Sequence, residues 1–463
     1  MGDTSDVFKA YDIRGIVPDQ LDAQMCRAIG SAFARFTSSK KVLIARDMRP
    51  SGIELSRAFM EGVRAQGVAV CDLGLASTDL LYFAAGKLDA PGAMFTASHN
   101  PAQYNGIKLC LAGARPIGRD TGLTEIESMT KGALKDLHSG AGSSTLNRPV
   151  LDASAAVEEI DLLDDYADHV RSFIDVSVIR PLNVIADTAN GMGGLVVPRV
   201  MDALAIKLTV LFPELDGTFP NHPADPIQPE NLVDLKRAVL ENHADIGLAF
   251  DGDADRVFLI DERGEPVSGS LTTALVAASM LRKHPGETIL YNLICSHSVP
   301  EVVNEGGGRA VRTRVGHSFI KDEMAKSGAV FGGEHSGHYY FRDNYRADSG
   351  LIAALIVLEL LSLSDQPLSS LTAPYSRYAD SGEINTEVFD PSRVVDAVAD
   401  FEASRGSIVD RLDGLTVEHE GWWYNLRPSN TEPLLRLNVE ARTRKECDSR
   451  VKEVLGLVSR FAK

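Results

Sequence analysis

At 463 residues the chain is too long for one hydrophobic core, and three or four domains are expected. A hydrophobic content of 44% with 24% charged residues excludes a disordered or fibrous chain. The net charge of -17 argues against nucleic-acid binding through a broad basic face, so a site for an anionic substrate must gather its Arg and Lys locally.

The chain opens on an acidic, polar segment unlike a signal peptide. FKAYDIRG follows, with Tyr11 and Arg14 beside a glycine turn. Three later segments share one layout of a β-branched run, a small or polar turn and a helical pattern: KVLIARDMRPSG from Lys41, LNVIADTANGMGG from Leu182 and TILYNLICS from Thr288. Such repetition predicts three similarly built α/β domains with mixed or mainly parallel sheets. The loop-like stretch His138–Pro149 marks a first boundary, and an acidic helix is expected over roughly 154–173. A second boundary is placed at Gly264–Gly269. The apolar helix Leu351–Leu363 is interrupted by Glu359 and is too short for a membrane span. A third boundary lies at Ser364–Tyr378, beyond which antiparallel strands and a final helix, Arg444–Phe461, predict an α+β domain. The expected divisions are 1–150, 151–265, 266–375 and 376–463. Cys26, Cys71, Cys110, Cys295 and Cys447 show no CxxC spacing, which suits a reducing compartment and a cytoplasmic protein.

DGDADR begins at Asp251, between the apolar runs IGLAF and VFLI. Two like charges ~4 Å apart repel by about 4 kcal/mol at an effective dielectric near 20, so three alternating carboxylates call for a cation. Their hard oxygens suit Mg²⁺. Asp251, Asp253, Asp255 and Glu262 also match EF-hand spacing, but Arg256 stands where that loop needs glycine and strands replace the flanking helices. A solvated acidic turn is the plain alternative. An arginine beside a metal is a natural phosphate clamp, which favours the metal reading.

TASHNPAQYNGIK carries Ser98, His99, Asn100 and Lys108, a hydroxyl and a cation on one loop without the G-x-S-x-G elbow of a hydrolase. A simple turn is the alternative. RPSNTEP offers Arg427, Ser429, Asn430 and Thr431, a set suited to a phosphate dianion or to an ordinary polar turn. GGEHSGHYYF exposes Glu334 and Ser336 between glycines, fit for a sugar diol or for a structural hairpin. RTRVGHSFIK adds His317.

Taken in order, YDIRG, TASHNP with NGIK, DGDADR, GEHSGH and RPSNTEP resemble the α-D-phosphohexomutase family, most closely its phosphomannomutase/phosphoglucomutase branch. The resemblance covers nearly the whole chain. It implies three α/β domains and one α+β domain around a central cleft. It implies a phosphoserine at Ser98, Mg²⁺ held by that serine with Asp251, Asp253 and Asp255, and a hexose 1,6-bisphosphate intermediate. Arg14, Lys108 and His317 would surround the reacting oxygens, with Lys108 the first candidate for acid–base work. Arg256, His99 and Asn100 would support the phosphoserine. Tyr11, Glu334 and Ser336 would face the sugar, while Arg427, Ser429, Asn430 and Thr431 would hold the non-reacting phosphate. The partners implied are small hexose phosphates, without nucleic acid or membrane, on a monomer or weak dimer.

GEHSGH with YYFRDNYRADSG looks like the mannose/glucose group, since phosphoglucosamine mutases more often carry Gln after that Glu. One departure is Ile294, where family members often have lysine; Ser296 or His297 could supply the missing contact. The rival functions are phosphoglucosamine mutase, a metal-dependent sugar phosphatase with water as acceptor, and a non-catalytic sugar-phosphate sensor.

Overall fold

A computed structural model describes residues 4–138, 156–428 and 434–462. Two compact units emerge: residues 1–268 with 336–369, and residues 269–335 with 370–463.

In the first unit, alternating apolar runs make two sheets. The strand Lys41–Arg46 is flanked in parallel by Ala69–Leu75 and Gly92–Phe95. Gly92–Phe95 then pairs antiparallel with Tyr104–Leu111, which also pairs with Ile13–Ile16. The helices Ala23–Thr37 and Gly52–Arg64 cover this sheet through Phe33, Leu55 and Phe59. The second sheet places Ile246–Phe250 parallel to Asn183–Asp187 and antiparallel to Val257–Ile260. Ile246–Phe250 is buried at every position, as a central strand covered on both faces requires.

The expected helix over 154–173 is corrected. Among its described residues, Val157–Glu159 is an edge strand parallel to Ala69–Leu75, and the helix is confined to Leu163–Arg171. A free sheet edge won over local helix propensity, and the Asp161 carboxylate accepts the Leu163 N–H at 2.9 Å as the helix begins. Most of the expected boundary His138–Pro149 lies outside the described residues.

The second unit contains a parallel set, with Thr288–Asn292 between Arg309–Thr313 and Phe331–Gly333. It also contains a five-stranded antiparallel sheet running from Ala379–Glu387 to Ile408–Asp410. The helices Pro391–Ser404 and Arg444–Phe461 pack on that sheet through Val398, Val454 and Val458. The class is therefore mixed α/β with a C-terminal α+β portion. Among the described residues, no helix is long and apolar enough to cross a membrane.

Candidate active site

Gly92–Phe95 delivers the chain to Ser98, which is 5% exposed and has φ at 50°. A left-handed conformation on a non-glycine residue costs on the order of 1–3 kcal/mol and persists only where the surroundings impose it. Thr96 Oγ1 accepts the Ser98 N–H at 2.9 Å. The larger constraint is Arg49, whose side chain is fully buried and paired with Asp47 at 3.1 Å. Its guanidinium donates to the carbonyls of Ser98, Asn100, Pro101 and Tyr104 at 2.8, 2.6, 2.8 and 2.9 Å. One planar fork thus fixes the whole loop.

The buried strand Ile246–Phe250 ends at Asp251, and Val257–Ile260 returns the chain antiparallel. Between them, Gly252 approaches the serine loop so closely that a Cβ there would lie 2.4 Å from the Ser98 carbonyl oxygen. Glycine is required by that contact. Ser98 Oγ donates to Asp251 Oδ2 at 2.7 Å. Arg256 Nε reaches the same oxygen at 2.9 Å, and its Nη2 lies 2.7 Å from His99 Nδ1. Lys108 Nζ bridges Asp253 Oδ2 and Asp255 Oδ2, each at 2.7 Å.

Burial, with Asp253 and Asp255 adding to it, raises Asp251 from 3.8 to about 8 against the pull of Arg256. Asp253 moves the other way: burial opposes ionisation, but the Lys108 ammonium holds it below the usual carboxylate range. Lys108 itself is disfavoured as a cation by burial, yet Asp253 and Asp255 keep its pKa well above the ordinary value. Burial, then Arg256 and Arg14, lower His99 well below 6.5. A neutral His99 accepts from Arg256 at Nδ1.

Asp251, Asp253 and Asp255 form a cluster whose ligand atoms lie within 4.8 Å of one another. Asp253 Oδ1 and Asp255 Oδ1 are buried with no hydrogen-bond partner among the described residues. Buried carboxylate oxygens left unpaired are costly, and a hard cation is the partner such a donor set suits. The residues fit a metal.

Of the other expected site residues in this unit, Arg14 donates to Asn100 Oδ1 at 2.5 Å, with Tyr11 half-buried three residues earlier. Ser336 Oγ lies 3.1 Å from His338 Nδ1. In the second unit, Glu334 is 2% exposed and accepts from Asn292 Nδ2 at 3.2 Å and the Gly316 N–H at 3.1 Å. The latter bond sets His317, first residue of the helix His317–Ser327, next to that carboxylate's anchor. Arg427 donates to Glu383 Oε2 at 3.3 Å. Ser429, Asn430 and Thr431 lie outside the described residues. Ile294, the departure noted in the sequence, is buried at 8% exposure.

Arg49 and Thr78, whose hydroxyl donates to Asp253 Oδ2 at 2.6 Å, were not legible as site residues, because their partners lie far along the chain. His338 sits inside the GEHSGH motif, and only the fold reveals its Nε2 at 3.8 Å from Asp255 Oδ1.

Comparison with known proteins finds four family models in order along the chain. The models for phosphoglucomutase/phosphomannomutase alpha/beta/alpha domains I, II and III match residues 5–135, 164–264 and 268–378, and that for the C-terminal domain matches 383–457. The chain is 38% identical over 461 residues to a phosphomannomutase of Salmonella montevideo, covering 98% of both. It is 34% identical to a phosphomannomutase/phosphoglucomutase of Pseudomonas syringae pv. tomato, covering 96% of this chain and 92% of the relative. A crystal structure of a phosphoglucomutase/phosphomannomutase family protein from Burkholderia thailandensis superposes with a TM-score of 0.86 at 31% identity, covering 100% of this chain and 98% of the other.

Fold and relatives together define a phosphohexose mutase, an enzyme of the isomerase class. The chain belongs to the phosphoglucomutase/phosphomannomutase family.

Proposed function

We propose that this enzyme interconverts hexose 1-phosphate and hexose 6-phosphate through a phosphorylated Ser98 and a hexose 1,6-bisphosphate, with mannose phosphates as first substrates and glucose phosphates accepted as well. The observation that carries the reading is the meeting of Ser98 Oγ, Asp251, Arg256 and the Lys108-bridged aspartates in one buried cluster. The mannose preference rests on relatives named phosphomannomutase.

Phosphoryl transfer asks for in-line positioning and neutralised charge. Phospho-Ser98 gives its phosphoryl group to the free hydroxyl of the sugar phosphate: the bond from phosphorus to Ser98 Oγ breaks and one to the sugar oxygen forms. The hydroxyl's proton needs an acceptor, and Lys108, held protonated by two carboxylates, suits the donor role better. His338 is the acceptor we assign, because it lies beside Asp255 and Ser336. The bisphosphate then turns end for end and returns its other phosphate to Ser98. Arg14, Arg256, His99 and Asn100 hold the serine loop and its charge through both transfers. Tyr11, Glu334, Ser336 and His317 face the sugar, and Arg427 with Ser429, Asn430 and Thr431 binds the non-reacting phosphate.

Asp251, Asp253 and Asp255 would hold Mg²⁺ together with a phosphoserine oxygen. When bound, the ion supplies charge neutralisation at the transferring phosphoryl group. Residues 1–150, 151–265, 266–375 and 376–463 are the four domains we assign, in a cytoplasmic enzyme whose five cysteines are all free and buried.

Ser98→Ala tests the reading. With mannose 1-phosphate and a priming bisphosphate, formation of mannose 6-phosphate should fall by about 10⁶-fold, the scale of losing a covalent nucleophile. Full activity in that variant contradicts the carrier role, and release of inorganic phosphate by the wild-type enzyme favours a phosphatase.

A further inference from the structure

Asp79 lies outside every motif discussed so far and is completely buried. Three hydroxyls converge on its carboxylate: Ser77 on Oδ1, Tyr166 on Oδ2, and Ser349 on Oδ2 at 2.8 Å. Both serines are helix N-caps. Ser77 caps Thr78–Lys87 by accepting the Leu80 N–H at 3.3 Å, and Ser349 caps Gly350–Ser362 by accepting the Ile352 N–H at 3.3 Å.

The residue after each cap grips the acidic turn. Thr78 donates its N–H to the Asp253 carbonyl at 3.1 Å and its hydroxyl to Asp253 Oδ2 at 2.6 Å. Gly350 donates its N–H to the Asp255 carbonyl at 3.0 Å. A Cβ on Gly350 would stand 2.7 Å from the Arg256 carbonyl carbon, so the contact admits glycine alone. Two helices therefore start at the acidic turn, their positive ends toward Asp253 and Asp255. Asp79 accepts from both cap hydroxyls and so ties the two starts together.

We propose that Asp79 is a positioning residue for the metal turn: by accepting both cap hydroxyls it fixes Thr78 and Gly350, and through them the separation and orientation of Asp253 and Asp255. The inference rests on the metal reading given above. An ionised carboxylate accepts all three hydroxyl protons, whereas an amide of the same shape offers one oxygen acceptor and forces hydroxyls to turn. Groups that orient metal ligands typically change affinity or activity by about 10- to 100-fold when replaced. Burial, with a smaller push from Asp255, raises Asp79 from 3.8 to about 7 against the pull of Ser77, Tyr166 and Ser349, so the ionised form that accepts all three protons prevails above about pH 7.

The test is calorimetric titration of Mg²⁺ into the full-length protein, beside kcat, KM and thermal unfolding. Asp79→Asn and Ser349→Ala should each weaken Mg²⁺ binding about 10- to 100-fold and lower kcat, leaving KM for the sugar phosphate within about twofold. Tyr166→Phe removes one donor to Asp79 but leaves the bonds from Asp79 to both cap hydroxyls in place, so it should lower thermal stability while leaving the Mg²⁺ affinity within about twofold. Unchanged Mg²⁺ binding in Asp79→Asn and Ser349→Ala overturns the inference, as does an equal loss in Tyr166→Phe, which would mark a general packing effect. A wild-type protein that takes up no Mg²⁺ overturns the metal reading and this inference with it. Wild-type binding with unaltered variants overturns this inference alone.

Discussion

The serine–aspartate centre of the first unit and the residues proposed for recognition in the second are built on different principles. Around Ser98 the polar groups are buried and bound many times over: Arg49 alone holds four carbonyls, Lys108 two carboxylates, and Arg256 a carboxylate and a histidine. Among the described residues the contacts of Arg427 and Glu334 are longer: Arg427 donates to Glu383 at 3.3 Å, and Glu334 accepts from Asn292 and the Gly316 N–H at 3.2 and 3.1 Å. Chemistry that moves a doubly charged group benefits from dipoles that need no reorganisation. A clamp that must accept either end of a turning bisphosphate benefits from groups that can let go. The contrast teaches where rigidity is concentrated and where it is relaxed.

Substitutions should separate the two regions. Among substitutions that spare the nucleophile, the largest effect is expected for Arg49→Ala, whose side chain is fully buried. It leaves four carbonyls without their donor and Asp47 without its cation, and breaking a buried ion pair by removing one partner costs about 3–5 kcal/mol. The serine loop should lose its geometry, with kcat falling about 10³-fold and the apparent Tm dropping by roughly 10 °C or more. A variant with ordinary kcat would break the claim that this loop is held by its guanidinium.

Arg427→Ala should act in the opposite pattern. Losing a charge-assisted contact of about 1.5–3 kcal/mol should raise KM by roughly 10- to 100-fold with kcat changed little. A kcat loss with unchanged KM would place Arg427 with the chemistry instead of the clamp.

A smaller effect concerns pH and the second unit alone. Burial would lower His297, but Glu418 at 3.4 Å outweighs it, helped by Glu440 and Glu301, and the net shift is upward from 6.5. A raised folded-state value means the contribution is complete below about 6.5 and fades as pH climbs through the higher value. The ring is 39% exposed, so screening keeps the gain small. The apparent Tm of wild type relative to His297→Gln should therefore be higher by about 2 °C or less at pH 6, and the gap should close by pH 9. A gap that widens with pH would reverse the sign of this argument.

How much of this the sequence disclosed follows from where the partners lie. The acidic turn was legible because its carboxylates alternate within six residues between two apolar strands, and Ser98 because its small-residue loop carries its own histidine, asparagine and lysine. Arg49 was not legible. RDMRPSG reads as a surface turn, and the partners that bury its arginine are backbone carbonyls 49 to 55 positions away. Asp79 was hidden more thoroughly, since Ser349 stands 270 positions along the chain. The acidic stretch from Val157 looked helical because its composition permits a helix, and only the parallel edge at Ala69–Leu75 shows why its first residues are a strand. The helix Pro391–Ser404 was passed over among strands, although Asp390 caps it through the Arg393 N–H at 3.0 Å.

The central claim is a cycle in which Ser98 loses and regains phosphate, and label transfer tests it most directly. Enzyme carrying radioactive phosphate on Ser98 is mixed with unlabelled mannose 1-phosphate, and protein, sugar phosphates and inorganic phosphate are separated within a few turnovers. The account predicts that label leaves the protein and appears in bisphosphate and mannose 6-phosphate, while Ser98 ends phosphorylated by unlabelled phosphate. Label that stays on the protein through many turnovers, or that emerges as inorganic phosphate, would contradict it.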